Sequence, residues 1–302
     1  MRKFVVLALA LACIIAAGVL AAQQQSSTAV PPPWAYGFAT PPGPAAAPPA
    51  APAAPAAAPA PDPTLHKLPG STLSFTLAQI RDGFGPADWY PGDHPQMPEI
   101  VAHGKRDQQV NACGLCHYPN GKGRPENAGV SGLSSIKWTP WIRVVEADTV
   151  PKTRIAGGMF LVLEGAEAGK EPIGQRIIET PEKTEDTELL RNPHSGFVAY
   201  VPPGSLKKGE ALVTNGGGGK TTQCGVCHGA NLEGLGPVPG IAGRSPSYLV
   251  RQLYDMQQGA RKGIWTDLMK PVVAKLTAED MLNIAAYTAS RAPGGESRRS
   301  NQ

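Results

Sequence analysis

Cys224-Gly225-Val226-Cys227-His228 is the stretch from which the fold follows, and Cys113-Gly114-Leu115-Cys116-His117 states it once before. Cys-x-x-Cys-His is the attachment pattern of a c-type haem. Two sulfurs three residues apart lie on one side of a helical turn. Both can therefore join one flat porphyrin as thioethers, and the histidine that follows can bring a ring nitrogen under the iron as proximal ligand. Two cysteine pairs also suit zinc, a disulfide, or a thioredoxin-like redox pair. Neither alternative explains a histidine directly after both pairs. The expected cofactors are two covalently bound haem c groups. Cys113, Cys116, Cys224 and Cys227 are the expected thioether residues, with His117 and His228 on the two irons.

Outward from the second motif, Gly204 to Val213 reads as a short helix, followed by a polar, glycine-rich loop from Thr214 to Thr222. After the motif comes a Gly/Pro loop, Asn231 to Arg244. Ser245-Pro246 reads as an N-cap with proline at the first helical position. Leu249, Leu253 and Met256 then recur on one helical face. A loop holds Trp265, Leu268, Met269, Lys270 and Pro271. Thr277 to Asp280 has the form of a capping box, opening a last helix that runs to about Arg291.

Helix, haem motif, helix, methionine loop, helix: over about residues 204 to 292 this order resembles the class I cytochrome c family. In that family a loop methionine supplies the sixth iron ligand from the face opposite the histidine. The resemblance implies Met269, 41 residues after His228, because Met256 and Met281 lie on apolar helical stripes that read as core. A thioether ligand raises the reduction potential. The resemblance also implies that a backbone carbonyl near Pro239 receives the His228 ring N–H, which would fix the tautomer.

The first motif begins the same way. Met97 to Gly104 reads as a short leading helix, and Asn120 to Leu133 as a Gly/Pro-containing loop. On residues 120 to 129 the resemblance extends to tandem dihaem cytochromes c, in which two class I domains share a chain. The pattern then breaks. In place of a helix, a methionine loop and a closing helix come strand-like runs: Trp141 to Val145, Met159 to Leu163, Gln175 to Ile178 and Phe197 to Val201. Each is rich in β-branched and aromatic residues and bounded by turn residues. The first module thus reads as truncated and joined to an insert. Its distal ligand is open. Met159 lies 42 residues after His117, close to the spacing in the second copy, yet it opens an apolar run where a core methionine is ordinary. Met97, His94, His103 and His194 are the other candidates, beside an open or water-bound iron.

The fold class expected is mainly α, with a class I cytochrome c domain at the C-terminus, a partial cytochrome c module before it, and a small β-rich insert between them. The expected boundaries are a signal peptide over 1–22, a disordered Pro/Ala-rich linker over 23–70, the first module over 71–137, the insert over 138–203, the second domain over 204–292, and a disordered tail over 293–302. Arg2 and Lys3 followed by the apolar run Phe4 to Leu20 form an export signal. Cys13 leaves with it. Uncleaved, the same run is a membrane tether. Export places the chain in the periplasm or otherwise outside the cytoplasm of a bacterium. The Pro/Ala tract favours extended polyproline II and reads as a spacer. Trp34, Tyr36 and Phe38 interrupt it and read as a docking patch or, more simply, as a local cluster.

A net charge of +4, about +2 after Arg2 and Lys3 leave, speaks against a nucleic-acid partner. The function expected is electron carriage between redox protein partners, a membrane-bound respiratory complex among them. Lys220, Arg244, Arg251, Arg261, Lys262 and Lys270 would either steer an acidic partner or form a merely solvated face. The alternatives are a peroxidase-like haem enzyme working at an open first site, or the haem subunit of a larger dehydrogenase or oxidase complex. On the main reading the chain is a carrier and not an enzyme.

Overall fold

A computed structural model describes residues 31–36, 62–127, 129 and 142–292. The expected signal peptide, the tail over 293–302, most of the linker, Phe38, and Trp138 and Trp141 lie outside the described residues.

The described chain starts with a one-turn helix, α1 (Pro33–Tyr36). Ala35 is 1% exposed within a core shared with Leu249, Val250 and Leu282, and Trp34 and Tyr36 pack on that core. The Tyr36 hydroxyl bonds Asp255 at 2.5 Å, and Arg251 donates to the Ala35 carbonyl. The aromatic stretch is therefore docked on the body rather than a local cluster within a free spacer. Further along, β1 (His66–Lys67) pairs antiparallel with β2 (Ser74–Phe75), and Leu68 is buried. Ordered chain thus begins before residue 70, where the linker was expected to end.

Next come α2 (Leu77–Ile80), capped reciprocally by Thr76 and Gln79, and α3 (Glu99–Ala102). The helix expected over Met97 to Gly104 is only this one turn. Pro98 takes its N-cap position and Gly104 has a φ of 64°. The first haem motif is itself a turn of helix, α4 (Cys113–His117).

The insert contains β3 (Ile142–Glu146), β4 (Thr149–Pro151), β5 (Thr153–Ala156), β6 (Met159–Val162), β7 (Lys170–Pro172), β8 (Ile178–Pro181), helix α5 (Thr184–Glu188) and β9 (Phe197–Val201). Strand β9 is central. It pairs parallel with β3, Ile142 opposite Phe197, and antiparallel with β8. A strand bonded on both sides reads as a near-continuous apolar run, and Phe197, Val198, Ala199 and Val201 are all buried. Strands β4 and β7 pair antiparallel, as do β5 and β6. Gly157 and Gly158, with φ of 56° and 76°, close the β5–β6 hairpin. Two positive φ angles in a two-residue loop match the right-handed strand twist. The strand expected over Gln175 to Ile178 starts only at Ile178. Arg176 holds the preceding residues in a turn by donating to the Ile173 and Pro172 carbonyls at 2.7 and 2.6 Å.

After β9 the chain becomes helical. Helices α6 (Ser205–Asn215), α7 (Gly225–His228), α8 (Pro246–Gln257), α9 (Lys270–Val273) and α10 (Ala278–Ser290) follow, with a 3-10 turn over Thr266–Leu268. Ser245 caps α8 by accepting from the Tyr248 N–H at 3.2 Å, with Pro246 at the first turn. Thr277 and Asp280 form the capping box of α10. Helices α6 and α10 cross closely at Gly209. A side chain on Gly209 would meet the Asn283 carbonyl and the Tyr287 Cβ, so only glycine admits this approach. The α10 residues Met281, Ile284, Ala285 and Ala286 are buried there.

Candidate haem sites

Each haem motif begins a turn of helix held by its preceding segment. The Cys224 N–H donates to the Val213 carbonyl at 2.9 Å, and the Ala112 N–H to Gly83 at 2.8 Å. Beyond the motifs the two copies run in register. The Gly123 N–H donates to the His117 carbonyl at 2.9 Å, and the Gly234 N–H to the His228 carbonyl at 2.7 Å. Antiparallel bridges follow at matching offsets, Arg124 to Asn127 and Leu235 to Val238. Glycines recur at the next matching position. A Cβ on Gly129 would lie 2.7 Å from the Lys122 carbonyl, and one on Gly240 2.5 Å from the Glu233 carbonyl. One loop geometry thus serves both motifs.

In the second module the His228 ring Nδ1 lies 2.7 Å from the Pro239 carbonyl. A carbonyl can only accept, so the proton sits on Nδ1 and Nε2 keeps its lone pair. That is the tautomer an iron ligand needs, at the carbonyl implied by the family resemblance. Met269 is partly buried against the cluster that also contains Leu212, Leu232, Val273 and Met281, and Cys224 packs on the same cluster. Met256 and Met281 join it from helices α8 and α10. The segment after Met269 is pinned from two sides. Thr221, just before the motif, donates to the Val272 carbonyl at 2.7 Å, and Gln257 donates to Val273 and Leu276 at 2.7 and 2.8 Å.

The donor set fits haem better than zinc. Burial pushes the Cys224 thiol up to about 11. The four described cysteines form no disulfide. Among the described residues no group of three His, Cys, Asp or Glu side chains converges on a metal site. The motif helix, the loop after it and the methionine loop also present Val226, Leu235, Ile264, Trp265 and Leu268 to solvent, between 61% and 87% exposed. That is the apolar rim a porphyrin would cover.

The first site is completed from elsewhere in the chain. Arg191, beyond α5, donates to the Leu115 carbonyl inside the motif. The Asn120 amide and the Lys122 ammonium donate to the Pro193 and Ser195 carbonyls. Burial lowers the Lys122 pKa to about 7 and raises that of Tyr118 to about 12. Trp89 donates to the Leu190 carbonyl at 2.9 Å, in a core with Leu68 and Ile80. From the second module, Arg251 donates to Pro125 at 2.7 Å and Arg244 to Gly129 at 2.5 Å. None of these arginine contacts has a local sequence signal.

The distal candidates of the first haem are employed as follows. Met159 is 2% exposed in the core with Ile142, Leu161 and Phe197. Met97 packs near Gly114 of the motif. His94 bonds Asp88 at 3.2 Å and Pro95 at 2.8 Å, and His103 lies 3.4 Å from the Phe84 carbonyl. His194 bonds Asp93 at 2.5 Å and stacks on Tyr90. The structure gives each of these side chains a packing or hydrogen-bonding role. The basic patch contracts as well. Arg244 and Arg251 are turned inward, and Lys220 pairs with Asp280 at 2.5 Å.

No family model matches the chain. It is 28% identical to cytochrome c4 of Stutzerimonas stutzeri over 214 residues, 62% of this chain and 90% of that protein. It is 38% identical to cytochrome c-554(548) of Halomonas halodenitrificans over 73 residues, 24% of this chain and 88% of that protein. The crystal structure of reduced recombinant cytochrome c4 from Pseudomonas stutzeri is 19% identical and covers 60% of this chain and 93% of that chain. Its TM-score of 0.35 carries no weight for how the modules are arranged. Two haem motifs with one loop geometry, a class I helix order around the second, and a relative matched over nine-tenths of its length lead to one assignment. The chain belongs to the class I c-type cytochromes, as a tandem dihaem member with two covalently bound haem c groups.

Proposed function

We propose that this chain carries electrons between redox protein partners outside the cytoplasm, with His228 and Met269 as the axial pair of the second haem and His117 as the proximal ligand of the first. The hydrogen bond from His228 Nδ1 to the Pro239 carbonyl carries the reading, because it commits the ring to ligation through Nε2. Bound haem supplies one-electron chemistry. The chain's own residues orient and exclude: Pro239 sets the imidazole, Thr221 and Gln257 hold the methionine loop, and Leu212, Val273 and Ile284 keep water from that side.

The working parts are then the modules at 71–137, 138–203 and 204–292, the first extended to take in His66 to Leu68. The residues before α1 would act as an export signal or tether. No helix among the described residues is long and apolar enough to cross a membrane. Cell fractionation tests placement: activity of the attached haems in the periplasmic fraction agrees, and cytoplasmic protein does not.

A carrier and a peroxidase-like enzyme separate in one experiment. The reduced protein is mixed in one arm with an oxidised small c-type cytochrome, and in the other with hydrogen peroxide while a reduced small c-type cytochrome is supplied in excess as electron donor. A carrier passes two electrons per chain to the cytochrome and turns over no peroxide. Sustained peroxide reduction at the first haem would contradict the carrier reading.

A further inference from the structure

Arg244 touches both post-haem loops at the same structural position. Its Nε donates to the Gly240 carbonyl at 3.3 Å, and one terminal nitrogen donates to the Gly129 carbonyl at 2.5 Å. Gly129 and Gly240 each lie twelve residues after the proximal histidine of their own module. Each abuts the carbonyl five residues after that histidine, of Lys122 in one loop and Glu233 in the other. Gly240 directly follows Pro239, whose carbonyl takes the His228 ring proton. Gly129 directly follows residue 128, the position equivalent to Pro239 by the same offset. One planar guanidinium thus joins the loop that sets the His228 ring to the matching loop after His117, and its fork geometry is what lets it span both.

Resting on the dihaem reading above, we infer that Arg244 is a positioning residue shared by the two haems, and that its fixed charge and two-carbonyl clamp set both reduction potentials together. A half-buried positive charge beside two proximal loops disfavours the oxidised, more positive iron at both. In the second module it also fixes the peptide next to the histidine's acceptor, and hydrogen bonds around a proximal ligand tune the metal. Arg251 bonds Pro125 and Ala35 but no carbonyl of the second loop, so it holds the first loop without sharing this role.

The test compares wild type with Arg244→Gln and Arg244→Lys as purified holoproteins. The haem-to-protein ratio is measured first, then the two midpoint potentials by optically monitored redox titration. Two haems per wild-type chain is the check on the dihaem reading itself. With two haems retained, Arg244→Gln is expected to move both waves to lower potential. Arg244→Lys, keeping the charge without the fork, is expected to move both in the same direction by less. Should the glutamine variant fail to hold haem, the lysine variant alone decides, and both waves must still fall. Only one wave moving, neither moving, an upward shift, or a lysine variant indistinguishable from glutamine would overturn the inference.

Discussion

The two haem modules share a motif and a loop but differ in how they are closed. The second closes on itself: α6 crosses α10 at Gly209, α8 and α10 cover the same core, and the methionine loop is pinned by Thr221 and Gln257. The first has no such helices among the described residues. It borrows instead, from residues 189–195 of the insert through Leu190, Arg191, Pro193 and Ser195, and from the second module through Arg244 and Arg251. Among the described residues, the first module's wall thus comes from outside it. The post-haem loop is the invariant part, because its backbone bonds hold the proximal histidine, and the rest is replaceable packing.

The largest effect expected comes from removing one attachment site at a time. Cys224→Ser with Cys227→Ser should lower the haem count from two to one, and so should Cys113→Ser with Cys116→Ser. Haem content by absorbance and whole-protein mass checks this, and an unchanged mass in either variant breaks the symmetry of the two sites. Second, Met159→Ala should cost about 2–5 kcal/mol in chemical denaturation, the range for emptying a buried site. It should leave the visible spectrum of the oxidised protein unchanged, because Met159 sits in the core with Leu161 and Phe197. A spectral change at constant haem content would make Met159 a ligand and the two modules alike.

How much of this was readable in the sequence divides along the same line. The haem motifs, the Ser245 cap, the Thr277 box and the strand over Phe197 to Val201 are local patterns, and each forms where the sequence places it. The tandem dihaem family was legible from motif order. The closure of the first module was not. Arg191 reaches Leu115 across 76 residues, and Arg244 reaches Gly129 across 115. Such contacts leave no periodicity to read. For the same reason the sequence left open whether α1 docks, as it does through Tyr36 and Asp255, 219 residues apart. Arg244 and Arg251 were read as surface charge because a lone arginine usually is one; only the fold shows the carbonyls they satisfy.

Two smaller effects probe the closed module and its seam with the insert. Gly209→Ala should destabilise by about 1–3 kcal/mol, the cost of overpacking, since a methyl there meets the Asn283 backbone. Unchanged unfolding in denaturant would mean that α6 and α10 are not the second module's clasp. At the seam, Glu179 of β8 is buried and accepts from the Ser245 hydroxyl at 2.8 Å and the Ser247 N–H at 2.8 Å. Burial raises its pKa to about 6 despite those bonds. With a raised carboxyl pKa the folded state holds the proton longer than the unfolded chain does. Stability from this group is therefore fully present below the ordinary carboxylate pKa and is lost as pH rises to about 6, by up to about 2 kcal/mol. Glu179→Gln should flatten that part of the stability–pH curve. An identical curve in the variant would remove Glu179 from the seam's titration.

The central proposal is that Met269 is the distal ligand of the second haem. It is tested most directly by the absorption spectrum of the oxidised protein in the region of the methionine–iron charge-transfer band. The band should be present in wild type and in Met159→Ala, and absent in Met269→Ala at unchanged haem content. A band that survives the loss of Met269 would contradict the account.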